Sequence, residues 1–294
     1  MNIDDKNLEM VYKAFRTVYS EALDGTESHR DTLAMTVTSN ATEEQYGWFG
    51  QFPALREWVG DRQIKKLTSH GFAIRNKKFE STVSVQRDDI SDDKVGLYKP
   101  MFQEMGRVTK QHPDKMIFEL LNNGFATECY DGQNFFDADH PHFGSDMVPS
   151  SMSNMQDGSG EPWFLLDLSR AVKPIIWQER EQYAFQTLDN PNNTNVFMSD
   201  EYFYGIRARV NCGFGLWQLA FGSKAELNSA NLRAAYNAMA EFAGDKGHKL
   251  GIAPTHIVVG ANNYFKARDI LLTANIGGST NTDFDLVKII KSSV

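Results

Sequence analysis

Residues 63–124 read QIKKLTSHGFAIRNKKFESTVSVQRDDISDDKVGLYKPMFQEMGRVTKQHPDKMIFELLNNG and carry two periodicities in succession. Gly71 to Arg75 and Phe79 to Gln86 are strand-like and are joined across Asn76, Lys77 and Lys78. In the second run Phe79, Val83 and Val85 alternate with Glu80, Thr82, Ser84 and Gln86, so one face is apolar. The pattern predicts a one-faced β-hairpin. Two strands alone are marginal in water, and the neighbouring sequence offers no obvious cover. The expected cover is a second copy of the chain, with Phe79, Val83 and Val85 in the contact.

The period then changes to that of a helix. Arg87-Asp88-Asp89-Ile90-Ser91-Asp92-Asp93 places acids where a helix begins, and Val95, Tyr98, Phe102, Met105 and Val108 follow at spacings of three and four. His112-Pro113-Asp114 predicts a restart or kink. Met116, Ile117, Leu120 and Leu121 extend the apolar face to Asn123-Gly124, which reads as a left-handed C-cap. Four clustered acids repel one another, and Arg87 alone does not balance them. A basic group from a neighbouring subunit is therefore expected there, which adds Arg87, Asp88 and Asp89 to the candidate contacts.

Several stretches resemble the major head (capsid) subunits of phage Mu and Mu-like prophages. They are Phe72-Ala73-Ile74-Arg75-Asn76-Lys77-Lys78-Phe79-Glu80, Val85-Gln86-Arg87-Asp88-Asp89-Ile90, Tyr130-Asp131-Gly132-Gln133-Asn134-Phe135-Phe136-Asp137-Ala138-Asp139-His140-Pro141, Tyr204-Gly205-Ile206-Arg207-Ala208-Arg209 and Gly213-Phe214-Gly215-Leu216-Trp217-Gln218-Leu219-Ala220. The likeness spans nearly the whole chain. It implies an α+β, HK97-like major capsid protein fold, with an N-terminal arm and junction over 1–62, an E-loop hairpin over 63–94, a long spine helix and peripheral domain over 95–222, and an axial domain over 223–294. It further implies a virion protein, assembled in the host bacterial cytoplasm into an icosahedral shell around double-stranded DNA. Its partners would be other copies of itself, a scaffold, a head-maturation protease and a portal. Cross-linking through Lys77 or Lys78, as in some HK97-type shells, is outweighed by their reading as solvated tip charges. The resemblance also implies a further strand-like tail after Val294, so loss of C-terminal residues is expected, leaving a sheet edge unpaired.

Composition narrows the classes independently. The 294 residues suffice for a sizeable core, in one elaborate domain or two. The mean hydropathy of -0.44 fits a soluble protein, and no apolar run approaches the ~20 residues that cross a bilayer. No membrane partner is expected. Met1-Asn2-Ile3-Asp4-Asp5-Lys6 lacks the pattern of a signal peptide, so synthesis and folding in the cytoplasm are expected. Cys129 and Cys212 lie far apart without metal-ligand spacing and read as reduced structural thiols. A formal charge of -8 argues against gripping DNA through its phosphates. For a container the same sign is useful, because such a wall does not trap the genome, and no sequence-specific DNA binding is expected.

Elsewhere, Ile3, Leu8, Val11, Phe15, Val18 and Tyr19 predict an amphipathic helix over 3–22 that ends near Asp24-Gly25. Tyr46, Trp48, Phe49, Phe52, Leu55, Trp58 and Val59 form an aromatic packing segment, and 145–162 an irregular loop. Leu166 to Pro174 reads as helical and Tyr183 to Leu188 as a strand. Asn190-Pro191-Asn192-Asn193 turns the chain into Val196-Phe197-Met198, giving a second hairpin. Ile206 to Phe221 suits a sheet with bulges. The last third reads as a helix from Leu227-Asn228-Ser229 that stops at Gly244 and Gly247, a buried strand at His256 to Val259, a helix over Asn262 to Leu272, a loop over 275–283 and an apolar element over Leu286 to Ile290.

The best candidate for chemistry is Asp137-Ala138-Asp139-His140-Pro141-His142, where two carboxylates and two imidazoles fall within one short loop. Turn hydrogen bonding explains such a cluster more simply, because no distant ligand motif accompanies it. No nucleophile elbow, P-loop, metalloprotease helix or dinucleotide fingerprint is present. The sequence thus predicts a structural protein with no catalytic residue, cofactor or metal. The competing readings are a metal-dependent hydrolase built on Asp137, Asp139, His140 and His142, and a tail or tube protein.

Overall fold

The computed structural model describes residues 4–46, 72–143, 149–190, 193–244 and 248–294. The aromatic segment from Trp48 to Val59, the 63–71 start of the first hairpin, residues 144–148 of the irregular loop, Pro191-Asn192 and Gly247 lie outside them.

Helix α1 (Asp5–Gly25) begins where the Asp4 carboxylate accepts the Asn7 N–H at 2.8 Å. A short α2 (Arg30–Leu33) leads into β1 (Ala34–Thr38). Strands β2 (Glu43–Gln45) and β3 (Ala73–Arg75) pair antiparallel. Then come β4 (Lys77–Gln86), α3 (Arg87–Ser91), a 3-10 turn at Val95–Tyr98 and the long α4 (Lys99–Asn123). Helix α4 runs through Pro113 as one element, where the sequence suggested a restart. Its next residue, Asp114, accepts the Ser28 hydroxyl and the His29 N–H, both at 2.8 Å, which ties the helix to the start of α2. Gly124 is right-handed (φ -63), contrary to the expected left-handed cap, and a Cβ there would meet the Phe136 ring at 2.7 Å. Packing against that ring demands the glycine, not a special backbone angle.

The remaining elements are a β5 (His140–Phe143) and β6 (Pro149–Met152) ribbon, β7 (Met155–Gln156), β8 (Trp163–Leu166), β9 (Ile175–Leu188), α5 (Thr194–Ser199), β10 (Glu201–Phe214), β11 (Ala220–Ser223), α6 (Ser229–Ala240), β12 (His256–Val259), α7 (Ala261–Leu272), a β13 (Asn275–Ile276) and β14 (Ser279–Thr280) ribbon, and β15 (Lys288–Lys291). One sheet is four-stranded in the order β1-β9-β10-β4, and the other is five-stranded in the order β15-β12-β8-β11-β7.

Three expectations are corrected by this topology. The first hairpin does not form: β3 pairs with β2, and β4 pairs along its whole length with β10, from Lys77 opposite Val210 to Gln86 opposite Glu201. Asn76 separates the two strands, because its N–H donates to Thr42 O and its amide to Ser39 Oγ and Ala41 O. The ladder on β10 also satisfies more of β4 than a three-residue β3 can. Second, Leu166 to Pro174 is not helical: β8 is buried throughout, after which the Asp167 carboxylate accepts the Ser169 N–H and hydroxyl and holds a loop. Val196 to Met198 lies in α5 and not in a strand, so the second hairpin returns only from Glu201. Third, the boundary at 222/223 cuts through a sheet, since β7, β8 and β11 join β12 and β15 in one layer.

Two apolar cores follow. The larger unites Trp163, Leu165, Ile175, Trp177, Phe214, Phe221, Leu232, Ile257, Val259 and Leu271 with the C-terminal half of α4. The smaller packs Leu8, Val11, Phe15 and Tyr19 of α1 and Phe102 and Met105 of α4 against Val85 of β4 and Tyr202, Tyr204 and Ile206 of β10. Helices α1 and α4 touch closely at Gly106, where a Cβ would lie 2.4 Å from Tyr19 O and 2.9 Å from Ala22 Cβ.

Candidate assembly surfaces and the Asp131–His140 network

The smaller core removes part of the expected contact surface. Val85 has 0% exposure and is covered by α1 and α4 of its own subunit. Val83 packs on the same core, and Phe79 lies edge-on to His112 with ring centroids 4.4 Å apart. The sequence placed these side chains on one apolar face correctly, but the cover comes from α1 and α4.

Two acids of the turn, Asp89 and Asp92, find their partner within the subunit. The Lys94 ammonium lies 2.9 Å from Asp92 Oδ2 and 3.6 Å from Asp89 Oδ1, and the Tyr98 hydroxyl donates to Asp89 Oδ2 at 2.6 Å. Asp92, by hydrogen bond and charge, raises the Lys94 ammonium above its ordinary range, and Asp89 does the same to the Tyr98 phenol. Arg87 turns away to Asp200: their charged groups are 3.6 Å apart, and the Arg87 N–H donates to Asp200 O at 3.0 Å. Asp200 adopts a left-handed backbone (φ 55) between α5 and β10. Lys94 was legible in the sequence as the base nearest the acids. Asp88 is exposed, while Arg87 and Asp89 are engaged within their own subunit.

The apolar surface that remains open lies elsewhere. Phe197 and Met198, at the turn between β9 and β10, are each 77% exposed. Leu97, Met101 and Val108 line an exposed stripe on α4 and the turn before it. Reading Val108 into the buried face and Phe197 into a strand concealed both patches.

The loop that carries the candidate chemistry folds around Asp131. Cys129 N–H donates to Gln133 O at 2.8 Å and Gly132 N–H to Cys129 O at 3.2 Å, closing a tight turn with Gly132 at φ +86, a region that favours glycine. Asp131 Oδ1 accepts from the Gln133 N–H and the Cys129 thiol, both at 3.1 Å, and Oδ2 lies 2.8 Å from His140 Nδ1. His140 is fully buried and stacks on Trp217 at 4.0 Å. Its Nε2 is 3.2 Å from Asn154 Oδ1, which also accepts the Asp137 N–H at 2.9 Å, while Asn154 Nδ2 donates to Phe135 O at 2.8 Å. Burial opposes ionisation of Asp131, yet the hydrogen bonds from His140 and Cys129 and the amide of Gln133 hold its carboxyl below the ordinary range. Burial, reinforced by Asp131, pushes the Cys129 thiol far up.

The four residues of the hydrolase reading do not converge. Asp137 accepts from Asp139 N–H and from Asn134, Asp139 accepts the Ser151 hydroxyl, and His142 contacts Ser150 Oγ and Gly244 O. Only His140 enters a shared cluster, with Cys129 and Asp131. The expected turn hydrogen bonds are present; the partners from 129–131 were not legible from the spacing.

The subunit is mixed α+β, with a four-stranded sheet, a five-stranded sheet and the long helix α4. Residues 8–294 match the model of the Mu-like prophage major head subunit gpT. The chain belongs to this family. It is 41% identical to the major capsid protein of Escherichia phage Mu, over 96% of this chain and 94% of that one. It is 40% identical to the Mu-like prophage FluMu major head subunit of Haemophilus influenzae, over 88% and 86%. Among solved structures, the bacteriophage JBD30 procapsid chain overlays with a TM-score of 0.88 at 40% identity, covering 98% of this chain and 99% of that chain. The JBD30 capsid chain gives 0.77 at 33%, covering 94% and 93%. This Mu-like head subunit therefore has the HK97-type fold and is a major capsid protein, not an enzyme. The hydrolase and tail readings are not favoured.

Proposed function

We propose that this head subunit is the repeating unit of a closed icosahedral shell that encloses double-stranded DNA and is assembled in the cytoplasm of a bacterial host. The carrying observation is its exposed apolar surface: a subunit with two cores of its own still presents Phe197, Met198, Leu97, Met101 and Val108 to solvent. Large exposed apolar side chains in clusters mark interaction surfaces, and neighbouring copies in a shell supply the cover. The net charge of -8 suits an enclosing wall that does not bind its contents through phosphates. Among the described residues no helix is long and apolar enough to cross a membrane.

In this reading α4 is the spine helix, the four-stranded sheet with α1 and α4 forms the peripheral body, and the five-stranded sheet with α6 and α7 forms the axial body. A scaffold, a head-maturation protease and a portal complete the assembly, as the family resemblance implies. The test is negative-stain microscopy and sedimentation of the purified protein, alone and co-expressed with a scaffold protein of a Mu-like phage. Closed spherical particles in either preparation are expected. Tubes, or compact monomers in both, would overturn the proposal.

A further inference from the structure

We propose that Cys129, Asp131 and His140 constitute a binding site for a divalent transition metal of the zinc type, which clamps the 129–133 turn to the start of β5. One donor atom from each side chain, a sulfur, a carboxylate oxygen and a ring nitrogen, lies within 4.8 Å of the others. The set is not a surface accident of acidic residues: Cys129 and His140 are buried, and Asp131 is nearly so. Mixed sulfur, nitrogen and oxygen donors suit a borderline-soft ion such as Zn²⁺ rather than Mg²⁺ or Ca²⁺.

The hydrogen-bond network carries the argument further. The Asp137 N–H is an unambiguous donor, so Asn154 Oδ1 is an acceptor, and the Asn154 amide nitrogen is committed to the Phe135 carbonyl. His140 Nε2 must then carry the proton it gives to Asn154. That leaves Nδ1 facing the Asp131 carboxylate at 2.8 Å, a hydrogen-bond separation too short for two bare lone pairs. A second proton on the ring satisfies this at the cost of a buried ion pair. A divalent ion takes that place once the two side chains part to roughly 3.3 Å, the span of two zinc–ligand bonds of about 2.0–2.2 Å at a tetrahedral angle, and it displaces that proton and the Cys129 thiol proton together. The charge is the same in both states: Asp⁻ with HisH⁺ and a neutral thiol sum to zero, and so do M²⁺, Asp⁻, Cys⁻ and neutral His. Binding therefore adds no net charge to a buried site.

The surroundings are those of a metal ligand. A histidine that binds through one nitrogen characteristically donates the other N–H to a carbonyl oxygen, as His140 does to Asn154. The Trp217 face fixes the ring plane, and the Gln133 N–H fixes Asp131. The ion's role would be structural, because it closes the link between the turn, β5 and the loop at Trp217.

The test uses the intact subunit, stripped with a chelator and titrated with Co²⁺ and with Zn²⁺. The expected result is one ion per chain, a thiolate-to-cobalt charge-transfer band, and a melting temperature that rises with free Zn²⁺ as mass action requires. The band should vanish in Cys129→Ser and persist in Cys212→Ser and His142→Gln, while His140→Gln and Asp131→Asn should weaken Zn²⁺ binding at least about tenfold. If the Cys129 or His140 variant does not fold, the wild-type titration alone decides. No charge-transfer band with the wild-type protein, no stoichiometric Zn²⁺, or a band that depends on Cys212 would overturn the proposal.

Discussion

His112 Nδ1 lies 2.6 Å from the Tyr183 hydroxyl and joins α4 to β9, with the Phe79 ring set edge-on to the imidazole. Burial, with help from Lys115 and slight opposition from Glu119, pushes the imidazole below its ordinary value, and burial drives the Tyr183 phenol far up. The phenol thus donates to a neutral ring.

The pH dependence follows from the direction of that shift. A base with a lowered folded value binds protons more readily when unfolded, so its contribution is complete above its unfolded value of about 6.5 and is lost as pH falls below it. Dissociated subunits should melt at a lower temperature at about pH 5.5 than at about pH 7.5, and His112→Gln should flatten part of that difference. An unchanged slope in His112→Gln would show that the ring is not responsible.

Gly106 separates two opposing effects. Alanine in a helix is favoured over glycine by roughly 1 kcal/mol, but the new methyl group would press on Tyr19 O at 2.4 Å. Both helices are packed, so the clash should win and Gly106→Ala should lose about 1–3 kcal/mol in urea denaturation. A neutral or stabilised variant would mean that α1 shifts freely.

The acidic turn should behave as part of the subunit. Removing the Lys94 and Tyr98 contacts by Asp89→Asn should lower subunit stability slightly in urea denaturation, and Asp88→Asn should leave it almost unchanged. The double variant should lose shell assembly in proportion to its stability and no further. A disproportionate loss of assembly, by light scattering, would restore the neighbour's basic group that the sequence alone suggested.

Phe197 and Met198 give the opposite signature. Replacing both with serine should leave subunit stability within about 0.5 kcal/mol, since neither is buried. Shell yield by sedimentation should fall sharply. Full-yield shells would remove the β9–β10 turn from the contact surface.

Much of the local structure was legible because it is written at short range. The spacing of Leu8, Val11, Phe15 and Tyr19 sets α1, the run from Phe102 to Leu121 sets α4, and Asn228 caps α6 by accepting the Asn231 N–H. The alternation in β4 correctly marked one covered face. The family, and with it the fold class, was also legible, because its motifs are strings of adjacent residues.

Only the tertiary structure decided who covers whom. A period of two identifies a strand and its apolar face, but every strand edge offers the same backbone donors and acceptors. The choice of β10 over β3 for β4 rests on the bonds of Asn76 and on a partner more than a hundred residues away. Val85 is buried by α1 for the same reason. His140 likewise looked like one of four ligands in a row, whereas its partners are Asp131 and Asn154, because a turn and a ribbon fold it away from Asp137, Asp139 and His142. Local pattern fixes what an element wants to bury and how its charges are spaced; the burial itself is a contact between distant segments, and its energy exists only once they meet.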